Sequence, residues 1–191
     1  EFENFITKQN MKRSILTLLV VSSVMITGAF AQGTDSGVAT VTTEVLANLS
    51  ITATTTVDFG NVASTSNPVI SPNGGTHQDV ATPTVGTFTI AGAANASVDV
   101  SFDATATLSD GAATPNTITF TPDLAAHATT QSGAPSLTTG DDITLNGSGA
   151  YLFWVGGELG TPGTGISSQT AGTYSTASTG GSAWNVTVTY N

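Results

Sequence analysis

After residue 31, apolar and small polar positions alternate with period two along most of the chain, and no stretch shows helical periodicity. The first such region, residues 37–49, puts Ala39, Val41, Thr43, Val45 and Ala47 on one face. Leu49, Ile51, Ala53 and Thr55 keep the same phase, and Val57 and Phe59 follow. Asp58-Phe59-Gly60 predicts a strand end, with Gly60 free to take a positive φ. Val69-Ile70 predicts a short strand, and the Ser-Pro-Asn-Gly-Gly run at 71–75 a turn. Residues 85–91 and 96–108 predict two longer strands, joined as a hairpin through 92–95. In the second, Val98, Val100, Phe102 and Ala104 oppose Asp99, Ser101 and Asp103, the pattern of a strand with one wet face. Residues 116–122, 143–145 and 150–155 predict three more strands. Residues 123–136 lack a period and predict a long loop. Residues 171–177 and 183–190 predict a last pair around Gly180-Gly181.

Nine or ten short strands with turn signals about every ten residues predict an all-β chain folded as one antiparallel β-sandwich over 48–191. Composition agrees. Thr and Val favour pleated strands, while Gly, Asn, Asp and Pro punctuate turns. No fixed-period repeat is present.

Charge narrows the function. The chain has only three basic residues, Lys8, Lys12 and Arg13, and no cysteine. All three fall in a segment that reads as a secretory signal at 11–31. Met11-Lys12-Arg13 is its positive start, 15–26 its apolar stretch and Ala29-Phe30-Ala31 its cleavage site. That stretch is too short to span a bilayer comfortably, so no membrane insertion is expected after cleavage. Residues 1–10 precede the start methionine and read as translated upstream sequence. The expected mature chain, 32–191, keeps 11 of the 13 acidic residues (Glu1 and Glu3 being lost) and has no lysine or arginine. Schiff-base chemistry, arginine clamps, thiol nucleophiles and disulfides are all excluded from it. Nucleic acid is excluded as a partner, because its binding depends on basic side chains.

The remaining chemistry is thin. His77 and His127 are the only candidate imidazole bases, and no G-x-S-x-G elbow or Ser-x-x-Lys occurs. Two distant histidines make no zinc motif. Asp141 and Asp142, with Asn146 nearby, are the best oxygen cluster for calcium, although the EF-hand pattern is absent. Trp154 and Trp184 are core residues by their alternating neighbours; an exposed pair would instead suggest sugar stacking. No catalytic residue and no cofactor is expected.

The two ends are the informative regions. Residues 32–47 form a separate β-prone arm, with Val38 and the alternating set Ala39, Val41, Thr43, Val45 and Ala47. The last strand alternates Val186, Val188 and Tyr190 in one phase. The arm can fold back on its own domain or add to the open sheet edge of a neighbour, and alternation is the same either way.

Asp58-Phe59-Gly60, the run Val155-Gly156-Gly157-Glu158-Leu159, Ala171-Gly172-Thr173-Tyr174 and the terminal Val186-Thr187-Val188-Thr189-Tyr190 occur in an order that resembles the domain of unknown function 4402 family. That family is similar to spore-coat-U-like and chaperone–usher pilin domains, and the resemblance spans nearly all of 32–191. It implies an immunoglobulin-like, pilin-like sandwich exported to the bacterial surface. There the arm of one subunit fills the groove of the next, and Tyr190 matches the penultimate aromatic of the last strand. The implied partners are copies of the same chain, with a periplasmic chaperone and an outer-membrane usher. The chain departs from the pattern in lacking cysteine and in its insertion at 176–182, features that bear on the need for a chaperone. The expected function is a secreted filament subunit assembled by strand addition. The alternative is a self-complemented adhesin or carbohydrate-binding module.

Overall fold

The computed structural model describes residues 42–43, 45–167 and 169–191. Two units are distinguished, Glu1–Glu44 and Val45–Asn191. In the first, Thr42 and Thr43 are exposed and lie in no strand. The expected leader and the arm positions Val38, Ala39 and Val41 lie outside the described residues.

The second unit is all-β. Its strands are β1 (Ser50–Thr55), β2 (Val69–Ile70), β3 (Gly86–Ala91), β4 (Ser97–Phe102), β5 (Ala106–Ser109), β6 (Thr117–His127), β7 (Ser136–Leu137), β8 (Asp141–Thr144), β9 (Ala150–Leu159) and β10 (Val186–Tyr190). The larger sheet runs β1-β3-β9-β6-β5, with β2 continuing the β3 side of β9 and β7 pairing with β6. The smaller runs β10-β4-β8. Every strand pairing is antiparallel. The sheets pack in a sandwich-like arrangement. Ile90, Leu124, Phe153 and Val155 of the larger sheet share one core with Val98, Val100 and Ile143 of the smaller.

The central pair, β6 and β9, explains the longest apolar run. Phe153 and Val155 face the main core. Trp154 faces the other way, over Ala125 and Ala134, in a small second cluster. A strand covered on both faces loses its alternation and reads as continuously apolar. The same effect hides the second half of β6. Residues 123–127 were expected in a loop, yet they are strand, because Leu124 and Ala126 pack inward while Ala125 sits opposite Trp154. Small residues fit there because the indole occupies the space.

Gly156 lets β2 approach β9. A Cβ on Gly156 would lie 2.1 Å from the Ile70 carbonyl oxygen, well inside any real contact.

Three connections differ from the pattern-based expectation. The run 96–108 is two strands in different sheets, β4 and β5, rather than one. The break falls at Asp103, which is bound to the C-terminal segment. Its amide donates to the Asn185 carbonyl, its carbonyl accepts from Trp184 Nε1, and its carboxylate accepts from the Asn185 amide and side chain. Residues 92–95 are a crossover between sheets rather than a hairpin turn, since β3 and β4 do not pair. Finally, residues 171–177 do not pair with 183–190. Ser175 and Ser182 instead bridge to Ser109 and Thr107 on the outer edge of β5. The Ser109 hydroxyl donates to the Thr179 carbonyl beneath this cover. Serine and glycine supply the hydrogen bonds and close approach that the edge requires, which a period-two count does not detect.

Candidate assembly site

Among the described residues, β10 is an edge strand, paired with β4 alone. Its register sets Val186 opposite Phe102, Val188 opposite Val100 and Tyr190 opposite Val98. The flanking bonds, Asp103 N–H to Asn185 O and Asn191 N–H to Ser97 O, fix the phase of the ladder. The odd-numbered residues 185–191 therefore exchange hydrogen bonds with β4. Antiparallel geometry then turns the N–H and C=O groups of Val186, Val188 and Tyr190 toward the open edge. The same three residues send their side chains toward the core. They remain only half-buried, whereas Val98 and Val100 beside them are fully buried. The difference is the number of neighbours: among the described residues, β4 has a strand on each side and β10 has one.

β1 is the corresponding edge of the larger sheet, paired among the described residues with β3 alone. Leu49 and Ile51 are also half-buried against the core. The two edges form the sides of a seam, and β1 and β10 run along it in opposite directions. At one end the Tyr190 hydroxyl accepts from Ala93 N–H at 2.6 Å and donates to the Ala47 carbonyl at 2.7 Å. Gly92 makes room for that hydroxyl, since a Cβ there would lie 2.5 Å from it. At the other end Ala53 pairs with Phe88, whose ring centroid is 6.1 Å from that of Trp184. Here the seam widens into a cleft of about 510 Å³. Its lining includes Val57, Phe88, Leu108 and Trp184, with Tyr174 to Ala177 along one side.

The predicted strand-end residues Val186, Val188 and Tyr190 are thus brought to one open edge. Of the arm positions described, Thr43, Val45 and Ala47 are exposed, Val45 to 88%. Leu46 is also exposed. Sequence patterning missed the cleft because Val57, Phe88, Leu108 and Trp184 come from four separate segments. Gly92 and Asp103 carried no motif. Asp103 gave no signal either, because it falls in the polar phase of an alternation that continues through Ala104 and Ala106.

The three calcium candidates occupy different local roles. Asp141 Oδ2 accepts from Thr138 N–H at 2.6 Å, a bond that holds this carboxyl below its ordinary range. Asp142 Oδ1 accepts from Asn191 Nδ2 at 2.6 Å. Asn146 Oδ1 accepts from the amides of Ser148 and Ala150. Asp142 also stands directly opposite Asp99 across β8 and β4. Among the described residues, no three of His, Cys, Asp and Glu gather as a metal site.

Both histidines cap turns. His77 Nδ1 accepts from Ser71 N–H, and His127 Nδ1 from the amides of Thr129 and Thr130. Trp154 is buried and so presents no solvent-facing platform. Trp184 lies half-buried between Phe88 and Phe102. Among the described residues, no helix is long and apolar enough to cross a membrane.

No family model matches the chain, and no curated protein matches it in sequence.

Proposed function

We propose that this chain is the structural subunit of an exported, head-to-tail polymer. In this reading, the arm of one copy adds as a strand along β10 of the next, between β10 and β1. The observation that carries the proposal is the half-finished edge. Among the described residues, no strand pairs with the outward backbone groups of Val186, Val188 and Tyr190, whose half-buried side chains turn inward. An added strand meets both needs at once. Main-chain bonds contribute about 1 kcal/mol each, and alternating small apolar side chains cover the exposed core. The arm 32–47 has that alternation: Ala39, Val41, Thr43 and Val45 lie in one phase. The pilin-like resemblance supports the same role, with an immunoglobulin-like domain, a bacterial surface location and chaperone–usher export as its further implications.

The test compares residues 32–191 with 48–191 by size-exclusion chromatography and electron microscopy. Filaments from the longer chain alone support arm-mediated assembly. If 32–191 stays monomeric at high concentration with its arm packed on its own body, the proposal fails and the self-complemented module takes its place.

A further inference from the structure

Two features at opposite ends of the seam are complementary. At the Tyr190 end the chain enters the domain through Val45 and Leu46, both large, apolar and exposed, immediately before Ala47 bonds to Tyr190. At the Trp184 end lies the apolar cleft, whose lining includes Val57, Phe88, Leu108 and Trp184. We infer that Val45 of one copy seats in this cleft on the next, so that the cleft is the socket of the subunit–subunit contact. The inference rests on the strand-addition reading and adds to it a direction, a register and a contact residue.

Direction follows from the geometry of one copy. The arm leaves its own domain at the Tyr190 end. If it entered a neighbour's seam from that neighbour's Tyr190 end, two copies would meet with like ends together. Their arms would then exchange reciprocally, giving a closed dimer. Entry from the Trp184 end joins unlike ends. That contact does not close, and it repeats as a filament.

Register follows from the same placement. A strand entering at the Trp184 end with its C-terminal part runs antiparallel to β10, extending an antiparallel sheet. With Val45 level with Trp184, each two-residue step back along the arm meets a two-residue step forward along β10. Thr43 then lies opposite Val186, Val41 opposite Val188 and Ala39 opposite Tyr190. The smallest arm side chain meets the largest residue of β10, and the bulkier valines meet valine or the open cleft. Two residues, about 7 Å of extended chain, separate Val45 from Ala47. Neighbouring domains are therefore nearly in contact, and Leu46 lies at their junction.

The absence of cysteine makes the test direct. Val45→Cys is combined with Ala53→Cys or with Ala183→Cys, two exposed residues lining the cleft. The exported protein is exposed to a mild oxidant and run on non-reducing gels, with filaments scored by electron microscopy. Disulfides need Cα separations of about 4.4–6.8 Å, so they report proximity. The inference predicts a reductant-sensitive ladder beyond the dimer from at least one double variant. Each single variant should give no more than a dimer. Filaments with no ladder, or a series ending at the dimer, would overturn the socket and leave strand addition standing. Neither filaments nor ladder would overturn both.

Discussion

The Tyr190 hydroxyl donates a 2.7 Å hydrogen bond to the Ala47 carbonyl, joining the last strand to the point where the chain enters the domain. The same oxygen accepts from Ala93 N–H. One side chain thus fixes the end of the seam and the sheet crossover at 92–95. Tyr190→Phe should cost about 1–2 kcal/mol in urea unfolding, since it leaves the Ala93 amide without its partner. Assembly should persist, because the ring and backbone of residue 190 are unchanged.

Gly92→Ala addresses the same corner from the other side. The new methyl would sit 2.5 Å from the Tyr190 hydroxyl and 2.9 Å from Leu49 Cδ1. The expected loss is about 1–3 kcal/mol through overpacking. Combined with Tyr190→Phe, the two losses should sum to less than additive, because both disturb one contact. Strict additivity in a double-mutant cycle would contradict the account.

Phe153→Ala should be the most damaging core change, costing about 3–5 kcal/mol. Phe153 is fully buried and central to β9, paired with Phe88 on one side and Ala126 on the other. Chemical denaturation of residues 32–191 measures it.

Stability should fall in acid through named carboxylates. Asp110 is held below the ordinary range first by the Asn116 side chain and then by the Ala112 amide, and Asp141 first by the Thr138 amide. Their folded-state values are depressed. Their stabilisation is therefore present above the unfolded value, about 3.9, and is lost as pH falls through the lower folded value. Asp123 is pushed up, first by desolvation, and contributes with the opposite sign. Asp110→Ala should destabilise the protein at neutral pH, and its deficit should close in strong acid. A deficit that is constant with pH would refute the assignment.

Asp99 and Asp142 oppose each other across β4 and β8. Like charges directly opposite are unfavourable by a few tenths to about 1 kcal/mol, and no Lys or Arg of 32–191 can offset them. Asp99→Asn should stabilise the protein by about 0.5 kcal/mol at low salt, and by less at high salt. A thermal melt series in sodium chloride checks both parts.

Much of this architecture was legible because period-two alternation is a local property. Val98 and Val100, and the phase of Val186, Val188 and Tyr190, could be read directly from spacing. Legibility failed where a residue's neighbours lie far away in sequence. Ala125 reads as loop until Trp154 covers it. Residues 96–108 read as one strand until the bonds between Asp103 and 184–185 reveal the crossing. The edge at β10 was visible as a pattern, but its openness was not, because an alternating strand looks the same with one neighbour or two. The cleft was invisible for a related reason, being assembled from four segments.

Amide hydrogen exchange along β10 tests the central claim most directly. In the isolated subunit, Thr187 and Thr189 should be protected by β4, while Val186, Val188 and Tyr190 exchange quickly. In the assembled polymer all five should be protected, with the gain confined to the three outward-facing amides. If those three stay unprotected in the polymer, or are already protected in the monomer, no strand is added to this edge and the account is wrong.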